Sequence, residues 1–343
     1  MPAPRRLLKP RILALVTTAK CTAACDHCCI ASSPRATAAI PIPRLHGLID
    51  EAARIQSIEC IAFTGGECFT LGKDLDALVH RADSHGLVTR CITNAYWAVN
   101  DRAAYQRLKS LRQAGLDQLS ISTGTFHSQY VPVDRVIRGA SIAVELGIMA
   151  GIYIESFAES TFDKDLIWQN RTLRRYYNQH RLDIEENIWL PNQGGHGVAQ
   201  LTQPPSLNRF ARGRKTRCKT ILHTITVDPR QRLVACCGFP MSYVDQLILG
   251  SVEVTPLDEL IGTADVDLLK MWIHVEGPER ILEFVKTKDP DFQLPTDVSH
   301  ICATCTRLHR DKVALRVIAQ YSEEVEERIL SRYARLMHRS RHS

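Results

Sequence analysis

The strongest constraint on this chain is a repeat. Six short apolar strands alternate with five amphipathic helices between Ile12 and Leu190, which makes about six βα units. Ile12–Thr17 reads as a buried strand and Ile42–Ile55 as a helix with Pro43 in its first turn. Glu59–Thr64 is a strand, Leu75–His85 a helix stopped by Gly86, and Val88–Thr93 a strand. Asp101–Ala114 is a helix capped by Asn100 and stopped by Gly115, and Gln118–Ser122 a strand. Val133–Leu146, Met149–Ser156, Phe162–His180 and Asp183–Leu190 continue as helix, strand, helix and strand. Strands joined this way pair in parallel through right-handed crossovers. Six units fall short of the eight that close a full barrel. The expected fold class is therefore α/β, a partial (β/α)6 TIM-like barrel. Its open side admits a large substrate.

The pattern changes at about 192–216, where NQGGHG and TQPPSLNRFARGRK are loop-like, proline-rich and basic. The boundary predicts a barrel over residues 1–205 and a second domain over 206–343. The second domain offers short strands at Ile221–Val227 and Leu233–Cys236 around a DPRQR turn, and a cysteine-rich α+β character. A long helix from about Thr306 to Met337 closes the chain, with an apolar stripe of Leu308, Val317, Ile318, Tyr321, Val325, Ile329 and Leu336. The length of 343 residues suits this two-part arrangement.

No run of eighteen apolar residues is present, so no membrane span is expected. The start, MPAPRRLLKPRILALV, lacks a small-residue cleavage site and reads as the approach to the first strand. A cytoplasmic location follows as the expectation. Twelve cysteines in a reducing compartment point to metal binding or redox chemistry rather than disulfides. The net charge of +6 is mixed along most of the chain, which points away from nucleic acid. The exception is Arg328, Arg332, Arg335, Arg339 and Arg341, with no acid among them. They read as a solvated helix face or as a dock for an acidic partner.

Within TTAKCTAACDHCCIAS, Cys21, Cys25 and Cys28 follow the first strand as C-x3-C-x2-C. A closed structural zinc site takes four ligands, usually from two knuckles. Three thiolates in one tight loop suit a four-iron cluster with one iron left open. Cys29 must point away from Cys28 and is a poor fourth ligand. The loop sits at the carboxyl end of a strand, where sites in parallel α/β folds lie. Gly65–Gly66–Glu67 ends the second strand as a glycine pair exposing backbone to a ligand, beside a carboxylate.

This spacing at this place resembles the radical S-adenosylmethionine (radical SAM) superfamily, whose hallmark is C-x3-C-x2-C after the first strand of a partial (β/α)6 barrel. The match is CTAACDHC, with His27 where an aromatic residue is usual. The resemblance implies a [4Fe–4S] cluster on Cys21, Cys25 and Cys28. S-adenosyl-L-methionine (SAM) would chelate the open iron and be cleaved to a hydrogen-abstracting 5′-deoxyadenosyl radical. An external one-electron donor such as flavodoxin or ferredoxin would supply the electron. It implies further that Gly65, Gly66 and Glu67 meet the amino group of SAM, and that Thr93–Asn94 and Ser122 meet its ribose and carboxylate. Many relatives carry Asp where Gly124 stands. Phe126–His127 resembles a pair in some peptide-modifying members. In GGHGVA, His196 stands where relatives often carry arginine.

Cys218, Cys236, Cys302 and Cys305 form C-x17-C, a long gap and C-x2-C, with Cys237 beside Cys236. Four thiolates can staple a small domain through zinc or an iron–sulfur cluster. The pattern resembles the twitch domain, a shortened SPASM domain that carries one auxiliary [4Fe–4S] cluster. It implies those four cysteines as ligands, and leaves open which of Cys236 and Cys237 is used. Cys237 reads either as a buried small apolar side chain or as a hydrogen-atom donor. Cys29, Cys60, Cys68 and Cys91 read as bystanders.

The function these features imply is hydrogen abstraction from a ribosomally synthesised peptide, giving a crosslink, an oxidation or an epimerisation. A separate peptide-recognition protein fits as a partner. The alternatives are a dehydrogenase or epimerase of a small aminocyclitol or aminoglycoside, and a zinc-stabilised binding protein.

Overall fold

The computed structural model describes residues 8–157, 160–188, 209–210, 213, 215–296, 298 and 300–339. The segment GGHGVA, with His196, lies outside the described residues, as does most of the expected domain boundary. Two compact units form. One is Ile12–Leu201 with Val227–Gln231; the other is Met1–Arg11 with Thr202–Thr226 and Arg232–Ser343.

The first unit is the βα repeat. Its strands are β1 (Ile12–Val16), β2 (Cys60–Thr64), β3 (Val88–Thr93), β4 (Gln118–Thr123), β5 (Met149–Ser156) and β6 (Leu182–Ile188). They pair in parallel in the order β6-β5-β4-β3-β2-β1. The crossovers carry α1 (Ile42–Ala53), α2 (Lys73–Ser84), α3 (Asp101–Gln113) and α4 (Val133–Glu145), with α5 (Asp165–Trp168) and α6 (Arg171–Asn178) before β6. Local chemistry sets these limits. Asn100 accepts the Ala103 N–H and starts α3. Gly86, Gly115 and Gly147 follow the ends of α2, α3 and α4 with positive φ. The register aligns Val16 with Thr64 and Thr123 with Ile154, so the carboxyl ends share one edge. The helix expected over Phe162–His180 is instead two, because Asn170 accepts from the N–H groups of Thr172 and Leu173 and begins a new one.

The second unit holds β7 (Thr224–Val227, its last residue excepted), β8 (Arg232–Val234) and β9 (Ile248–Ser251). Its helices are α7 (Leu257–Thr263), α8 (Leu268–Glu276), α9 (Pro278–Lys288), α10 (Ile301–Arg310), α11 (Lys312–Tyr321) and α12 (Glu323–Arg339). β8 and β9 are antiparallel, with an irregularity between Leu233 and Val234. The single long C-terminal helix is not observed; three helices replace it. Asp311 has extended backbone and accepts from the N–H groups of Val313 and Ala314, which ends α10 and caps α11. Three glutamates in the first turn favour the restart at α12. The apolar stripe survives the breaks: Leu308, Val317, Ile318, Val325 and Ile329 are all buried. The arginine run does meet an acid, since Arg328 and Arg332 both bind the buried carboxylate of Glu276. No helix among the described residues is long and apolar enough to cross a membrane.

Candidate functional site

The cysteine loop leaves β1 and is fixed by backbone pairing. Cys21 N–H reaches Ser33 O at 3.1 Å, and Ala19 N–H reaches Ala38 O at 2.7 Å. The glycine pair after β2 closes against the same loop. Gly66 N–H donates to Thr18 O at 2.6 Å and Glu67 N–H to Lys20 O at 2.9 Å. A Cβ on Gly66 would stand 2.4 Å from Lys20 O, and one on Gly65 2.7 Å from Thr18 O. The glycines therefore serve close backbone approach, and the N–H groups of Gly66 and Glu67 are spent on the loop rather than presented to a ligand.

Glu67 is fully buried. Its Oε1 accepts from Phe69 N–H (3.1 Å) and Thr93 Oγ1–H (2.8 Å), and its Oε2 from Asn94 N–H (2.8 Å). Burial raises its pKa to about 7, against the pull of those donors. Thr93 Oγ1 also accepts from Ala95 N–H and Trp97 Nε1–H. Asn94 turns its side chain onto the cysteine loop, donating to Thr22 Oγ1 (3.1 Å) and to Cys21 Sγ (3.7 Å). Glu67 and Asn94 thus brace the loop. Ser122, half-buried at the end of β4, keeps its hydroxyl uncommitted within the described chain.

Backbone donors meet two of the sulfurs, and the third thiol faces a carbonyl. Ala23 N–H points to Cys21 Sγ (3.4 Å) and Ser32 N–H to Cys28 Sγ (3.3 Å). Cys25 Sγ lies 3.6 Å from Phe126 O. Burial holds the Cys21 thiol up at about 11. It pushes Cys25 well up too, helped by Cys21, Cys28 and Glu155 nearby. Buried thiols of this kind need a cation to ionise, and a metal supplies it.

The loop after β4 forms the far wall. Its anchor is Glu155 on β5, which is 5% exposed. Glu155 Oε1 accepts from Phe126 N–H at 2.6 Å, and Oε2 lies 2.9 Å from His127 Nδ1. At Gly124, where φ is +138°, a Cβ would fall 2.1 Å from the Glu155 carboxyl carbon. The carboxylate from β5 occupies the volume that a side chain at 124 would take. Phe126 stacks on His27 (4.6 Å) and on Phe157 (5.2 Å), and His127 meets His27 edge-on at 4.8 Å. Burial, with His127 alongside, lowers His27 to about 2, so it is a neutral flat ring, the aromatic its place calls for. Among the described residues, His27, His127 and Glu155 are a triad whose ligand atoms lie within 4.8 Å of one another. Both Glu155 oxygens already have donors, and the triad acts as a clamp on the cysteine loop.

In the second unit, Cys218, Cys236, Cys302 and Cys305 line one cavity with Ile221, Leu247 and Ile273. Burial, then the neighbouring thiols, raises Cys236, Cys302 and Cys305. His309 Nδ1 lies 3.7 Å from Cys305 Sγ. Behind them Glu279 is fully buried, 2.5 Å from Arg209 Nε and 2.9 Å from Thr304 Oγ1. Cys236 faces the cavity, while Cys237 is exposed. Cys237 is therefore not the buried apolar filler. Cys60, Cys68 and Cys91 are buried and Cys29 is intermediate. Glu155 was missed from sequence; the available signal was a carboxylate near the end of an otherwise buried strand.

Residues 15–149 match the Radical SAM superfamily model. Over those residues the chain carries a radical SAM domain, which marks it as an enzyme. The protein named "Putative peptide biosynthesis protein YydG", from Bacillus subtilis (strain 168), is 29% identical over 330 residues, 89% of this chain and 94% of its own. The structure of native anSMEcpe with bound AdoMet and Cp18Cys peptide superposes with a TM-score of 0.52 at 12% identity, over 93% of this chain and 99% of its own. The complex of the same protein with Kp18Cys peptide gives 0.52 at 12% identity, over 93% and 100%. These two structures share the fold. The superfamily works with a [4Fe–4S] cluster and SAM, and the donor set fits the cluster.

Proposed function

We propose that the chain modifies a ribosomally synthesised peptide by hydrogen abstraction, with Cys21, Cys25 and Cys28 holding the SAM-binding cluster. The observation that carries the peptide reading is similarity to the Bacillus protein along 94% of that protein's length. When bound, the cluster and SAM supply a hydrogen-abstracting carbon radical. The chain's part is placement. Asn94 steadies Cys21, the Glu155 clamp holds the wall at His27, and Ser122 offers its uncommitted hydroxyl to SAM. Cys218, Cys236, Cys302 and Cys305 would hold an auxiliary [4Fe–4S] cluster; their shared cavity supports it.

The exposed thiol of Cys237 supports epimerisation. The substrate carbon loses one hydrogen atom and regains one from the Cys237 S–H. The sulfur left behind then takes an electron from the external donor and a proton from solvent. Iron and sulfide analysis of anaerobically purified protein should give about eight of each. Zinc without iron would sink the reading. Turnover of a precursor peptide in heavy water should place one deuterium at the inverted carbon. Turnover of an aminocyclitol with no peptide turnover would move the protein to small-molecule chemistry.

A further inference from the structure

Parallel strands covered on both faces are apolar throughout. β1 (ILALV) and β2 (CIAFT) obey this. β4 (QLSIST) and β6 (LDIEENI) do not. On one face Ile121, Ile152 and Ile184 are buried in register, and Ile121 approaches Gly139 of α4. That face carries the helices. The alternate residues share the other face. Register sets Ser120 beside Gly151 and Gly151 beside Asp183; one layer on, Ser122, Tyr153 and Glu185 are neighbours.

Ser120 and Tyr153 are half-buried there, and Asp183 and Glu185 are exposed. None of these four side chains makes a hydrogen bond or ion pair among the described residues. The face is built rather than incidental. A Cβ on Gly151 would meet Tyr153 Cε2 at 3.0 Å and its hydroxyl at 3.2 Å. The missing side chain at 151 lets the phenol lie back along β5, with its hydroxyl over the layer of Ser120 and Asp183. The charge on this face is one-sided. Arg90, further down the same face, is tied to Gln118 at 2.7 Å, and Glu155 is tied to Phe126 and His127. Among the described residues, the charges left without partners on this face are the two carboxylates.

We propose that the helix-free face of β4–β6 is the substrate wall, and that it selects a peptide segment bearing a lysine or arginine. Asp183 and Glu185 take the cation; Ser120 and Tyr153 hydrogen-bond peptide amides. The assignment of this face to substrate rests on the radical SAM peptide reading. Its charge selectivity does not, and is tested without SAM.

The test uses two fluorescently labelled decapeptides of Gly, Ser and Val, identical except for two central lysines or two central glutamates. Anisotropy at low ionic strength should show the wild-type protein binding the lysine peptide about tenfold more tightly, as two like-acting charge pairs in a concave face allow. The double variant Asp183→Asn/Glu185→Gln should narrow the preference to about twofold. The charge-keeping Asp183→Glu/Glu185→Asp should restore it, which separates charge from fold. Tyr153→Phe should weaken both peptides about threefold without changing the preference. Equal binding by the wild-type protein, or a full preference in the Asn/Gln variant, overturns the proposal. Reductive SAM cleavage by wild-type protein without peptide tests the radical reading by itself. Its loss with the lysine preference intact would remove that reading and leave the cation-selective wall standing.

Discussion

Two cysteine centres occur in one chain, built in opposite ways. Cys21, Cys25 and Cys28 lie in a single loop, held by backbone bonds to Ala38, Ser33 and the glycine pair. Cys218, Cys236, Cys302 and Cys305 reach one cavity from a loop, a strand end and a helix. The first centre is a local motif pinned by its neighbours. The second exists once a domain has folded around it. The first should fail through single contacts and the second through domain stability.

The largest effect should come from Cys25→Ala. 5′-Deoxyadenosine formation should vanish while about four irons per chain remain, the content of one four-iron cluster. Cys305→Ala should do the reverse, keeping SAM cleavage and losing the other four; cleavage lost in both would erase the distinction. Next is Gly66→Ala, whose Cβ would stand 2.4 Å from Lys20 O. The clash is with backbone, so a loss of about 3 kcal/mol is expected in denaturant melts, with the second centre's iron unchanged.

The pH response of Glu67 is of similar size. Its folded pKa of about 7 stands above the ordinary 4.5. Folding binds a proton between those values, so this contribution is full below pH 4.5 and is lost as pH rises through 7. Relative to Glu67→Gln, the wild type should lose about 3 kcal/mol over that window, at ~1.4 kcal/mol per pK unit. A flat difference would show that Glu67 stays ionised. The smallest effect should be Asp311→Ala. Loss of the α11 cap should cost about 1 kcal/mol and leave SAM cleavage intact.

The legibility of the two centres differs for the same reason. The parallel strands and the three-cysteine loop could be read because periodicity and spacing are short-range. The helices beyond Thr306 were read as one because the apolar stripe runs on through Asp311 and Ser322. The cap at Asp311 is a local hydrogen-bond choice that the stripe does not encode. The clamp at Glu155 was invisible because its partners, Phe126 and His127, lie 29 and 28 residues away. The close approach of Thr18 and Lys20 to the glycine pair is revealed only by the fold. Cys237 could not be told from Cys236 by spacing, and burial separated them.

The spread of the second set of thiols has a consequence for how the protein is made. The loop of Cys21, Cys25 and Cys28 needs β1 and β2, which are synthesised early. The cavity needs Cys305, 277 residues after Cys28. At about 5–20 residues per second, translation separates the two by some tens of seconds. On the ribosome the nascent chain therefore holds Cys218 and Cys236, two of its four distal thiols, unprotected until α10 emerges with Cys302 and Cys305. A cell short of iron or exposed to oxygen would lose this protein first at that stage, through thiols oxidised before their last partner arrives.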